Sequence, residues 1–427
     1  MSLASPSLSA RDRQETACGK GFYKDVFMDA GVMLTSRHFL YAANNLELNL
    51  EAFVSTDHKI SKNIQADTII QQMIMVGNPL DENGYLLYPD GAPRYRMIYV
   101  NGGRSYLHGP SLGPEGLQRI REFVAGGGSY VGTCAGALLS SSYIRGDSLV
   151  PKPFYTHIWP GSVRYTGISY NRTNIALEKH SPLLQYYDFG GDLHVDSVYH
   201  NGGVFADEEV EWPKGTEVLA RYDSKNLNKE RVDGKPVIWA YKPTPKSGRV
   251  VGCGSHPELE SNGERLQLMS AMMRYAMDGN GNPTIKASLT SGEACAMTAS
   301  THDSIPERTK IGDHQYHHFT VDVPKGTDTL TVLLQGVSGW EKCDLYLLAR
   351  RGELAWIDNA TYQDLSLGNE AALTIVAPKA GKWYVSVYGA TTVGSVETEK
   401  GTLYTDHLEV LNGVPYIITA TLKEKKK

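Results

Sequence analysis

Cys134 stands in the stretch GTCAGALL, residues 132–139, with a glycine two positions before it and another two positions after it. The residues SYV ahead of it read as a strand and AGALLSSS behind it as the opening of a helix. A single nucleophile flanked by small residues at a strand-to-helix reversal is the pattern of a nucleophile elbow, in which the chain turns tightly and lifts one side chain above the sheet. A nearby helix amino terminus favours thiolate, the form that attacks. The plainer alternative is a small apolar residue filling a core, since free cysteine is among the most buried residue types. Strand, glycines and helix together favour the elbow.

A thiolate needs a proton partner, and a histidine in that role needs a group to orient it. Of the 13 histidines, His256 stands at the end of an expected strand with Glu258 two residues on, in SHPE. Pro257 between them stiffens the backbone, so one rigid turn presents both side chains. Attack on a carbonyl also needs donors for the developing oxyanion. The stretch NGGRSY, which ends the preceding strand, exposes the amides of Gly102 and Gly103, and Ala135 supplies the amide after the nucleophile.

Those residues need a scaffold, and the chain has room for one. With 427 residues, 41% hydrophobic and 21% charged, it has the balance of a globular protein of two domains. The net charge of -5 and the lack of a basic tract before the terminal Lys423–Lys427 segment disfavour nucleic acid as a partner. The apolar run Thr68–Val76 is broken by Gln71 and Gln72 and is too short to span a bilayer. The opening MSLASPSLSA does not read as a signal peptide. Five cysteines without CxxC spacing argue against a cysteine-built metal cluster, and no metal or cofactor is expected.

Strand-like and helix-like stretches alternate through the first two thirds: DVFMDAG (25–31), SRHFLYAANNL (36–46), NLEAFVS (49–55), RMIYVNGG (96–103), PEGLQRIREFVAGGG and SYVGTCAG. This alternation predicts a flavodoxin-like parallel sheet with helices on both faces and ligands at the carboxyl ends of its strands. KPVIWAYKP (235–243) and GRVVGCGSH (248–256) read as an antiparallel pair, followed by a helix from about Asn262 to Met277 with a core-facing methionine stripe. After DGNGNP (278–283) the pattern changes to short alternating runs with turn signals, from HHFTVDVP to PYIITATL, which predicts an all-β sandwich. The expected domains are 19–280 and 284–423.

Together, the Gly-Gly turn, the G-x-C-x-G elbow and the terminal His-Pro-Glu resemble the class I glutamine amidotransferase-like superfamily. With IWPGSVRYTG (158–167) and VYHNGGVF (198–205), residues 22–279 are similar to the amidotransferase-like domain at the amino end of some biotin–protein ligases. The resemblance implies Cys134 as nucleophile, His256 as base, Glu258 as its orienting acid, and Gly102, Gly103 and Ala135 as oxyanion donors. Asn101, Asn201, Gly202 and Gly203 would line the pocket. CDLYLLARRGE and AGKWYVSVYG resemble the bacterial pre-peptidase C-terminal domain, a module of secreted hydrolases, which implies a secreted or periplasmic protein and makes a Cys295–Cys343 disulfide reasonable.

The sequence departs from the amidotransferases in having no synthetase domain to receive ammonia, no ligase domain, and Thr133 and Ala135 around the cysteine. The expected function is therefore an exported cysteine hydrolase cleaving an amide or peptide bond in a small-molecule or peptide substrate. The alternative is a surface binding module that keeps the scaffold without turnover, with the β-sandwich contacting a cell surface or polymer. DHQYHH (313–318) reads as a polar segment leading into an edge strand rather than a metal site, and Asp344 with nearby acids leaves calcium open. Residues Asp57 to Arg94 read as a long insertion bordering the pocket, and Cys253 as a buried thiol that is either inert or, three residues before His256, a modulator of the site.

Overall fold

A computed structural model describes residues 17–30, 40–54, 82–225, 231–300, 306–398 and 401–425. The opening segment, the run 68–76, most of the 57–94 insertion and the start of SRHFLYAANNL lie outside the described residues.

The first part is built on β1 (Lys24–Ala30), β2 (Leu50–Val54), β3 (Tyr95–Val100) and β4 (Ser129–Thr133). These and Val250–Cys253 lie side by side as five parallel strands in the order β2, β1, β3, β4, Val250–Cys253. Both faces are buried, and the side chains alternate between them: Phe27, Ile98 and Tyr130 pack on one side, Val26, Met28, Met97, Tyr99 and Val131 on the other. Among the described residues the cover comes from α1 (Tyr41–Asn45), α2 (Ser105–Ala125), α3 (Ala135–Ser140) and α4 (Gly263–Met277). Leu112, Leu117, Ile120 and Phe123 of α2 join the first face, whereas Ala42 and Ala43 of α1 and Leu268, Met269 and Met273 of α4 join the second. The methionine stripe is core packing. Helix α2 starts earlier than PEGLQRIREFV and bends at Gly113, where φ is 65° and ψ 174°.

The expected parallel sheet is present as these five strands, and it is part of a larger mixed sheet. Among the described residues the whole sheet has 11 strands and is mixed. Beyond Val250–Cys253 it continues through Pro236–Tyr241, Thr216–Asp223, Asn171–Leu177 and His194–His200, all joined antiparallel. At the opposite edge a hairpin from late in the chain, Gly394–Thr398 with Gly401–Asp406, pairs antiparallel with β2 at Phe53 and Gly401.

The second part holds a five-stranded sheet (Ile285–Ser288, Tyr316–Val323, Gly381–Gly389, Leu345–Arg351, Tyr362–Asp364) and a four-stranded sheet (Ala294–Met297, Tyr416–Glu424, Thr327–Gly336, Ala371–Val376). Phe319, Val321, Leu347 and Val385 from one and Leu330, Val332, Ile375 and Ile418 from the other share a single core. Two expectations fail here. Cys295 and Cys343 are both free, and Cys295 contacts Met297 Sδ at 3.9 Å and the Arg308 guanidinium instead of a second sulfur. The strand containing His317 and His318 is interior, paired on both sides, so it is not an edge. Its imidazoles are held by hydroxyls, His317 by Tyr416 (2.9 Å) and His318 by Ser386 (2.7 Å). Asp344 Oδ1 accepts the Gly368 amide at 2.7 Å and so braces a turn.

The two parts are tied by a buried network. Arg94 forks onto Asp313, Nε to Oδ1 at 3.2 Å and Nη2 to Oδ2 at 2.9 Å, and its Nη1 donates to the Tyr404 hydroxyl at 2.8 Å. Tyr404 in turn donates to Glu51 Oε1 at 2.5 Å.

Candidate active site

Three segments converge at the carboxyl ends of neighbouring parallel strands, where such sheets present their ligand sites. Asn101, Gly102 and Gly103 follow β3, Cys134 follows β4, and His256 follows Val250–Cys253.

The turn at Cys134 is strained, with φ 48° and ψ -103°. Such a conformation at a residue other than glycine costs about 1–3 kcal/mol and persists only where the surroundings enforce it. They do so here. A Cβ on Gly132 would lie 2.4 Å from the Gly136 carbonyl carbon, and one on Gly136 would lie 2.0 Å from the Val100 carbonyl oxygen. Only glycine at both places lets α3 start directly over β3 and β4. The Cys134 amide donates to the Cys253 carbonyl at 2.8 Å, which pins the elbow to the neighbouring strand.

His256 is fixed by its amide, which donates to the Tyr199 carbonyl at 2.9 Å, and by its Nδ1, which lies 2.8 Å from Glu258 Oε1. Pro257 opens the short 3-10 turn Pro257–Leu259 that brings the carboxylate back under the ring. Both side chains are buried. Burial opposes charge on the imidazole, but the Glu258 carboxylate and the hydrogen-bonded Cys134 together hold it well above the usual histidine range. Gly102 adjoins both residues: a Cβ there would lie 2.2 Å from His256 Cε1 and 3.3 Å from Cys134 Cβ.

The site is roofed. The Cys134 thiol donates to the Asn201 carbonyl across 3.6 Å and is 5% exposed. The turn carrying Asn201 presses down on the chain before His256, since a Cβ on Gly203 would lie 1.7 Å from the Gly254 carbonyl oxygen. The Tyr170 amide donates to Asn201 Oδ1 at 3.3 Å. Cys134, His256, Glu258, Gly102 and Asn201 are thus brought together, and Asn101, Gly103, Ala135, Gly202 and Gly203 adjoin them along the chain. Cys253 is buried in the strand beside them, and burial pushes its thiol far up.

Residues 92–278 match the family model described as biotin-protein ligase, N terminal. The chain is similar to the amino-terminal domain of those ligases. A biotin-protein ligase of Schizosaccharomyces pombe is 24% identical over 196 residues, 42% of this chain and 29% of the ligase, so the match spans less than a third of that relative's length. A solved glutamine amido transferase from Methylobacillus flagellatus is 11% identical, with 62% of this chain and 97% of that one covered at a TM-score of 0.34. Residues 315–389 match the bacterial pre-peptidase C-terminal domain model. The solved pre-peptidase C-terminal domain of a Bacillus anthracis collagenase is 14% identical, covering 34% of this chain and 100% of that one at a TM-score of 0.19.

Within this ligase-like domain the sequence reading missed His200. Its Nε2 lies 2.8 Å from Thr166 Oγ1 and its Nδ1 3.0 Å from Ser255 Oγ, one residue before His256. Burial, followed by the nearby His256, lowers it to about 3, so it is a neutral strut between the Asn201 turn and the His256 turn. It lies within the quoted VYHNGGVF, but only the cross-strand packing marks it out. A second buried pair, His108 Nε2 and Asp29 Oδ2 at 2.8 Å, ties the start of α2 to the end of β1. Among the described residues no cluster of three or more His, Cys, Asp or Glu side chains could hold a metal ion.

Proposed function

We propose that the chain is a cysteine hydrolase of amide or peptide bonds, exported as its pre-peptidase-type domain implies, with its amidotransferase-like domain over 19–280 and its sandwich over 284–423. The observation that carries this reading is the meeting of Cys134, Gly102 and His256 with the 2.8 Å His256–Glu258 contact behind them.

In the reaction, Cys134 attacks the substrate carbonyl carbon as a thiolate whose proton rests on His256. The amides of Gly102, Gly103 and Ala135 hold the oxyanion. Collapse breaks the carbon–nitrogen bond, His256 protonates the leaving amine, and a thioester remains. Water then attacks the thioester with His256 as base, releasing the acid and restoring the thiolate. Glu258 keeps the ring in the tautomer that serves both steps. Asn201 to Gly203 and Asn101 border the substrate.

Competition between cysteines tests the proposal. Iodoacetamide at neutral pH, followed by peptide mass spectrometry, should label Cys134 at least about tenfold faster than Cys253, and His256→Ala should remove the advantage. Slow labelling of Cys134 in a folded protein, unchanged by His256→Ala, favours the binding module.

A further inference from the structure

A cavity of about 750 Å3 lies between the two parts of the molecule, at the amino ends of the parallel strands and so at the far end of the sheet from Cys134. Its size is within the range of small-molecule sites. One wall is aromatic. Tyr316, His318 and Trp356 are in mutual contact, with ring centroids 4.7 to 5.7 Å apart, and Trp356 is half-buried. The floor is main chain at Gly91, Gly126, Gly127 and Gly281, whose amides are spent on main-chain carbonyls, so what it offers a ligand is carbonyl oxygen.

Two of the cations that border this space are paired within the protein, and exposed Lys20 and Glu307 add one charge of each sign. Arg96 Nη1 meets Asp25 Oδ1 at 3.1 Å, Lys286 Nζ meets Asp90 Oδ2 at 2.5 Å, and Asp278 Oδ2 accepts the Tyr186 hydroxyl at 2.5 Å. A free ion would therefore meet a nearly balanced field, whereas a neutral molecule with many hydroxyls would find carbonyl acceptors on one side and a flat apolar face on the other. Sugar rings present that combination, hydroxyls at the rim and C–H groups on the face.

We propose that this interdomain cavity binds a neutral mono- or disaccharide, stacked on Trp356 and hydrogen-bonded along the glycine floor. The site is independent of Cys134 and of any hydrolysis there.

The full chain is titrated calorimetrically with cellobiose, N,N′-diacetylchitobiose and lactose, and with glucuronate as a charged probe. At least one neutral sugar should bind with a millimolar Kd, and Trp356→Ala should weaken it about tenfold or more. Asn282→Trp, on an exposed lining position, should block entry without touching the core, and so decides the matter if Trp356→Ala does not fold. Absence of binding by all three neutral sugars, tighter binding of glucuronate, or binding unchanged by both variants overturns the proposal.

Discussion

The Cys134 thiol and the Asn201 carbonyl face each other across 3.6 Å, and this contact closes the roof over the candidate nucleophile. Reaching the sulfur therefore requires the 201–203 turn to lift. Gly202, with φ 71° and open space where a Cβ would be, is the point at which that turn can bend. Reagent size should matter: relative to a short peptide thiol, Cys134 should lose about tenfold or more in labelling rate when iodoacetamide is replaced by a fluorescein maleimide. Equal loss for both thiols would show an open sulfur.

Gly102→Ala places a methyl group where His256 Cε1 now lies, 2.2 Å from the ideal Cβ position. The imidazole must swing away from the sulfur. Because a positioned base contributes at least about a hundredfold, amide turnover should fall by that order. Circular dichroism checks that the fold is kept, and a variant with wild-type turnover would remove His256 from the chemistry.

Arg94→Ala leaves Asp313 buried and unpaired between the two parts of the molecule. Breaking a buried pair of this kind costs about 3–5 kcal/mol. The urea midpoint should drop accordingly, and Arg94→Met with Asp313→Leu should recover much of the loss. Indifference to Arg94→Ala would mean the fork adds little to holding the parts together.

Acid should destabilise the protein through histidines that are buried neutral. Burial lowers His200 and His318 to about 3 from 6.5, and His317 lies well below its ordinary value. In the window between, the unfolded chain takes up protons that the native state refuses. Their contribution is complete above 6.5 and fades as the pH falls toward 3, at roughly 1.4 kcal/mol per pH unit for each histidine. His256 has the opposite sign: its value is raised, so its contribution is complete below 6.5 and fades as the pH rises through the folded value. Urea midpoints at pH 7 and pH 5 should differ less in His318→Phe than in the parent. An unchanged difference would exclude His318 as a source.

The elbow and the His-Pro-Glu turn were legible because their chemistry is local: glycines two residues either side of Cys134, and a proline between two partners. The parallel core was legible from alternating strands and helices. What escaped depends on contacts distant in sequence. The antiparallel strands between Asn171 and Tyr241 look the same, residue by residue, whether they extend a sheet or form another. His200 acquires meaning only from Thr166 and Ser255, and Arg94 only from Asp313, 219 positions on. The disulfide expectation rested on a family habit, and Cys295 instead spends its surface on Met297 and Arg308.

The hairpin 394–406 caps strand Leu50–Val54, whose outer backbone groups would otherwise be open to any passing chain. A fragment stopped near residue 280 would carry every candidate catalytic side chain yet expose that ladder together with the Glu51 carboxylate that Tyr404 now satisfies. Such a fragment should self-associate, because the hairpin that covers the edge of the early sheet is supplied from late in the chain.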